Sequence, residues 1–155
     1  MGSFTIFEDQ NLIASGRSVM HAIVIGVEYY PDAEEILNDL SSPAHSARAI
    51  TNWLLGCKLD NEDQDQEYPL ASLSLLITEE NPKPFQHPEI NTVVPKLAES
   101  SNTKSAISQW FQNADINEED VTLFYFCGHG VGNGLGSQSL LLSDYDKDKL
   151  NPMDG

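Results

Sequence analysis

Residues 22–27, inside the stretch HAIVIGVEYY, are apolar almost without a break and rich in β-branched side chains. A strand with one wet face alternates apolar and polar residues. A continuous apolar run needs cover on both faces, as in a parallel sheet flanked by helices. Pro31 and Asp32 end the run. This one strand narrows the chain to layered α/β architectures.

The remaining segments supply the other parts. In SSPAHSARAITNWLLGC, residues 41–57, Ser42 can cap a helix, Pro43 suits its first turn and Gly56 is a stop signal. Ala47, Ile50, Leu54 and Cys57 fall on one helical stripe, so Cys57 reads as core. LASLSLLIT, residues 70–78, reads as a second buried strand. TKSAISQWFQNA, residues 103–114, reads as a second helix with Ala106, Ile107, Trp110, Phe111 and Ala114 on its apolar face. VTLFYFC, residues 121–127, is the third strand, and SLLLSDYD, residues 139–146, a short one ending in acids. Strand, helix, strand, helix, strand is the pattern of a parallel α/β sheet with right-handed crossovers. Strands near 21–27, 72–78 and 121–127 should therefore lie parallel, with helices near 43–56 and 103–113 on their faces. Residues 1–19 show no clear period and read as a leader. Residues 20–155 read as one domain.

Between these elements lie segments of less obvious structure. DNEDQDQE, residues 60–67, reads as a solvated acidic loop, because it lacks the spaced Asp/Asn-Gly-Glu order of a calcium loop. Residues 80–101 carry four prolines and read as mostly irregular. GVGNGLGS, residues 130–137, fits neither GxxxxGK[ST] nor GxGxxG and reads as a Gly-rich hairpin.

Composition excludes several function classes. Hydrophobic residues at 40% and charged residues at 21% describe a soluble globular chain. No apolar run is long enough to span a bilayer, and the N-terminus lacks a basic start and apolar stretch, so a cytoplasmic protein without membrane contact is expected. A net charge of −16 repels phosphate backbones and argues against a nucleic-acid partner. That acidity serves solubility, or it builds an acidic pocket for basic substrate side chains. Two cysteines without a CxxC pair give neither a disulfide framework nor a zinc site, and no metal ligands are assigned.

Chemistry concentrates at Cys127-Gly128-His129-Gly130. Reactive groups in open α/β sheets sit at the carboxyl ends of strands, and His129 follows the third strand directly. Its two glycines allow tight turns and close backbone approach. Imidazole moves protons near neutral pH. His21, His45 and His87 form no metal spacing, and no GxSxG elbow exists.

The order HAIVIGVEYY, SARAITNWL, LSLLIT, TKSAISQWF, VTLFYFCGHG and SLLLSDYD resembles the caspase and metacaspase superfamily over residues 20 to about 146. The metacaspase and bacterial caspase-like branches are the nearest in pattern. The resemblance implies a caspase–hemoglobinase-like fold, a three-layer α/β/α sandwich with a mostly parallel sheet. It implies peptide-bond hydrolysis by a Cys–His dyad on a protein or peptide substrate. His129 would be the dyad histidine, and the Gly130 amide one oxyanion-hole donor. No organic or metal cofactor is needed, although calcium activates some metacaspases.

The family's nucleophilic cysteine ends the next parallel strand, which the sequence does not reach by Gly155. The sheet is then incomplete, and a C-terminal segment or a second chain would complete it. The chain by itself is expected to be inactive. Cys127 lies on the histidine's own strand and is expected to pack inward, protonated and inert. Ser46-Ala47 stands where metacaspases often carry Asp-Ala, and the two arginines, Arg17 and Arg48, have no assigned pocket. The substrate-binding residues are not legible in the sequence. Two alternatives stand beside the peptidase: a non-catalytic interaction or scaffolding module of the same fold, and an unrelated flavodoxin-like binding domain. The second would need an anion-binding loop after the first strand, where Glu28-Tyr29-Tyr30-Pro31 is a poor one.

Overall fold

A computed structural model of the chain describes residues 4–56, 58–61, 66–132, 134 and 136–146. Its elements run β1 (Thr5–Glu8), α1 (Gln10–Ala14), β2 (Met20–Val27), α2 (Pro43–Gly56), β3 (Lys58–Asn61), β4 (Gln66–Thr78), β5 (Phe85–His87), β6 (Ile90–Val93), α3 (Ser100–Ala114), β7 (Val121–Cys127), β8 (Gly130–Gly132) and β9 (Gln138–Leu140). The main sheet has the order β1-β4-β2-β7, with β3 paired to β4 off that path.

The apolar run makes β2 the axis of this sheet. All eight of its residues are buried. It pairs parallel with β4 on one side, Ala22 opposite Leu73, and parallel with β7 on the other, Ala22 opposite Leu123. Its side chains divide between two cores. Met20, Ala22 and Val24 join Leu73, Leu75 and Ile77 beneath Ala44, Ala47 and Leu54 of α2. Ile23, Ile25 and Val27 join Leu76 beneath Ala106 of α3 on the opposite face. Burying each large side chain contributes about 1.5–3 kcal/mol, so both faces of β2 must stay covered. The α/β/α layering and the three parallel strands match the sequence expectation.

Gly26 interrupts the apolar run because α2 rests directly on it. A Cβ there would lie 2.6 Å from the Pro43 carbonyl oxygen and 2.9 Å from the Ala47 Cβ. Gly26→Ala is therefore expected to destabilise the fold by about 1–3 kcal/mol through overpacking. A urea midpoint equal to that of the wild type would contradict this close approach.

Several segments differ from their sequence readings. The segment expected as a leader contributes β1, which pairs antiparallel with β4, and α1, whose N-cap Asp9 accepts from the Asn11 and Leu12 amides at 3.0 Å. The acidic stretch is not all loop: β3 and the start of β4 pair antiparallel from Lys58–Pro69 to Asn61–Gln66. Residues 62–65 and Cys57 lie outside the described residues. The proline-rich stretch holds a small hairpin, β5 with β6. Helix α3 begins at Ser100, and its inward stripe runs through Thr103, Ala106 and Asn113, which leaves Phe111 62% exposed. The Gly-rich stretch is a hairpin as expected, β8 with β9, but β9 ends at Leu140 and residues 141–146 turn away.

Candidate active site

Parallel strands deliver their carboxyl ends to one edge of the sheet, and β2, β4 and β7 end there in Glu28, Glu79 and the Gly128-His129 turn. His129 is half-buried and follows β7 directly. Its backbone N–H donates to the Tyr30 hydroxyl at 2.8 Å. Its carbonyl accepts the Leu141 amide at 2.9 Å. The Tyr30 hydroxyl in turn donates to the Leu141 carbonyl at 3.2 Å. Gly128 keeps this turn close: a Cβ there would lie 2.9 Å from both the Phe126 ring and the Tyr30 hydroxyl, so one of them would have to shift.

The imidazole has a defined polarity. Nε2 lies 2.8 Å from the Asn38 carbonyl oxygen. A carbonyl only accepts, so Nε2 carries the hydrogen and, in the neutral ring, Nδ1 carries the lone pair. The Tyr30 ring covers one flank, its centroid 5.2 Å from that of His129 at a 54° tilt. Nδ1 is thus the atom able to take a proton from an incoming acid. Gly130 is exposed and opens β8, opposite Leu140.

Cys127 faces inward beside Tyr125 but is only half-buried, which corrects the expectation that it is buried. It ends a strand edge that no other strand covers among the described residues, so its cover is incomplete. Tyr125 precedes it on the same face. Burial first, and then the Cys127 sulfur, push the Tyr125 phenol above its ordinary value, while a hydrogen bond with Ser46 works the other way. Ser46, which stands in place of the Asp of an Asp-Ala pair, therefore lies against Tyr125.

Arg48 has a definite place. Its Nη1 donates to Glu79 Oε2 at 3.0 Å, and its Nη2 donates to the Lys83 carbonyl at 2.9 Å. The Lys83 amide donates to the same carboxylate at 2.8 Å. Burial alone would raise the Glu79 carboxyl, but Arg48 and the Lys83 amide hold it below its ordinary range. This guanidinium ties α2 to the end of β4 and is not a spare cation for an acidic ligand. Arg17 is exposed near the other end of the sheet, where its carbonyl accepts from Asn117.

Acids line the ground beyond His129. A cavity of about 700 Å³ lies among Asp32, Val131, Leu140, Asp144 and Asp146. Asp144 is engaged by the Ser100 amide and hydroxyl at 3.0 Å, which docks the segment after β9 on the start of α3. Among the other histidines, His45 is exposed on α2 and His87 accepts the Glu89 amide at 3.1 Å. His21 is fully buried at the opposite end of the sheet. The sequence placed His129 at the end of β7, as the structure does, but did not single out Tyr30, Asn38 and Leu141, which hold it. The tandem Tyr29-Tyr30 at a strand end was the one visible signal, while carbonyl groups leave none.

The sheet thus carries a glycine-flanked histidine at the carboxyl end of a parallel strand, the place where reactive groups gather in open α/β sheets. This chain belongs to the caspase domain family, whose model matches residues 19–153. It is also similar to the uncharacterized protein y4kE of Sinorhizobium fredii, 32% identical over 85 residues. The aligned stretch covers 54% of this chain and 23% of that protein. No solved structure matches the chain. No helix among the described residues is long and apolar enough to cross a membrane.

Proposed function

We propose that this chain is the histidine-bearing part of a caspase-like cysteine endopeptidase domain acting in the cytoplasm. The observation that carries the reading is the His129 imidazole, held by Asn38 with Nδ1 as its proton acceptor, in a chain of the caspase domain family. In the proposed reaction a cysteine thiol gives its proton to Nδ1, and the thiolate attacks the substrate carbonyl. The tetrahedral oxyanion is stabilised by backbone donors, the Gly130 amide among them. Collapse expels the amine, which takes the proton back from His129. Water, deprotonated by the same ring, then frees the acyl group.

The nucleophile comes from a strand laid along the edge of β7 that no other described strand covers, supplied by a C-terminal segment or a second chain. Phe124 on β7 is 44% exposed, which supports a further layer of chain there. The acids beyond His129 favour substrates with basic side chains on charge alone. Calcium is admitted by the resemblance, and no group of three or more His, Cys, Asp or Glu side chains converges among the described residues.

The 155-residue chain alone is expected to be inactive. Cys127 lies against Tyr125, which packs in the core beneath α2, whereas the His129 ring lies against Tyr30, which belongs to the core beneath α3. The purified chain is incubated with a mixed peptide library and a thiol-directed peptidyl inhibitor. Neither cleavage nor labelling is expected. Cleavage that disappears in Cys127→Ala would make Cys127 the nucleophile and overturn the need for another strand.

A further inference from the structure

We propose that Tyr30 is a positioning residue for His129: its buried hydroxyl pins the backbone on both sides of the hairpin that begins at the imidazole. The inference rests on the peptidase reading above and assigns it a residue outside the dyad and the oxyanion hole.

Tyr30 is 1% exposed, in a core of Ile23, Ile25, Val27 and Leu76 that a phenylalanine would fill equally well. A hydroxyl placed in such surroundings destabilises the fold unless it is hydrogen-bonded. This one is bonded twice, accepting from the His129 amide at 2.8 Å and donating to the Leu141 carbonyl at 3.2 Å. The Leu141 amide closes the ring of contacts on the His129 carbonyl at 2.9 Å. The neck of the β8–β9 hairpin is therefore held by its own backbone bond and by one side-chain oxygen from the segment that follows β2. Burial pushes the Tyr30 phenol above its ordinary value, so the hydroxyl keeps the proton it gives to Leu141.

The same segment also holds the ring of His129. The chain after Tyr30 is tied back on itself, Ala33 amide to Tyr30 carbonyl at 3.1 Å and Leu40 amide to Glu28 carbonyl at 3.0 Å. That fold-back carries the Asn38 carbonyl to Nε2. Tyr30 thus fixes where the histidine's backbone sits relative to the carbonyl that orients its imidazole. Gly128 belongs to the device, because an added Cβ would meet the Tyr30 hydroxyl at 2.9 Å. If the turn moves, the ring loses the single orientation that presents Nδ1, and displacements of about 1 Å cost roughly 100-fold in rate.

The test uses Tyr30→Phe, which keeps the ring, and Gly128→Ala, which reaches the clamp from its other side. Imidazole nitrogen resonances of His129 are followed by NMR through a pH titration of the 155-residue chain. In the wild type, above the titration, Nδ1 and Nε2 should show the wide separation of one Nε2–H tautomer. In both variants the separation should narrow as tautomers mix, and exchange of the His129 amide should accelerate about 10-fold. Tyr29→Phe, whose exposed hydroxyl donates to Glu34, should match the wild type. In a completed peptidase, Tyr30→Phe should lower kcat about 10- to 100-fold with KM held. An unchanged His129 imidazole spectrum in folded Tyr30→Phe, or an unchanged kcat, overturns the positioning role. Full turnover in His129→Ala instead overturns the peptidase reading, a separate result.

Discussion

Replacing His129 by alanine should lower peptide hydrolysis by the completed domain about 10²- to 10⁴-fold, the range that a positioned general acid–base supplies. The loss should fall on kcat, because the imidazole acts on the thiol proton and the leaving amine rather than on the substrate's side chains. The fold should survive. The ring is half-buried, it makes one hydrogen bond through Nε2, and its removal should change stability by no more than about 1–2 kcal/mol. Thermal unfolding and circular dichroism of the variant separate the two effects. Turnover equal to the wild type would remove His129 from the reaction. A collapse of the fold would make its role structural.

What the sequence reveals follows from how local each signal is. Strand β2 is legible because eight consecutive buried residues leave no alternative to cover on both faces. Helix α2 is legible from Pro43 at its start and Gly56 at its end. His129 is legible because glycines flank it at a strand end. Strand β1 is four residues long and hairpin β5–β6 shorter still on one side, too few for a period to register. Strand β3 hides in an acidic stretch whose composition reads as loop. The inward stripe of α3 depends on which turn meets the sheet, and Phe111 sits one position beyond it. The support of His129 is illegible for another reason. Tyr30 and Leu141 meet across 111 positions of chain, and Asn38 contributes a main-chain oxygen that any residue could offer.

The partners of His21 were equally hidden, since only the register of β2 against β4 brings Ser72 to it. His21 is 0% exposed, with Nε2 3.3 Å from Asp120 Oδ2 and Nδ1 2.7 Å from the Ser72 hydroxyl. A carboxylate only accepts, so Nε2 carries the hydrogen and the Ser72 hydroxyl donates to Nδ1. Asp120 also accepts the Val19 amide at 2.9 Å, and the His21 carbonyl accepts the Trp110 indole N–H at 3.0 Å. Serine, histidine and aspartate in this order could activate a hydroxyl, but no substrate reaches a fully buried ring. The network instead joins β2, β4, α3 and the segment before β7. Asp120→Ala should therefore cost roughly 2–5 kcal/mol, because it leaves the His21 Nε2–H and the Val19 amide without acceptors. Burial lowers the His21 pKa below 6.5, against the pull of Asp120. Well above 6.5 both folded and unfolded chains hold His21 neutral, and the group adds no pH dependence. As pH falls from there toward the lower folded value, the unfolded chain binds a proton that the folded chain refuses, so stability declines. Below the folded value the decline from this group stops. Urea midpoints of the wild type should therefore fall between pH 7 and 5, and those of His21→Phe should fall less over the same interval. Parallel curves for the two proteins would show that His21 does not titrate differently on folding.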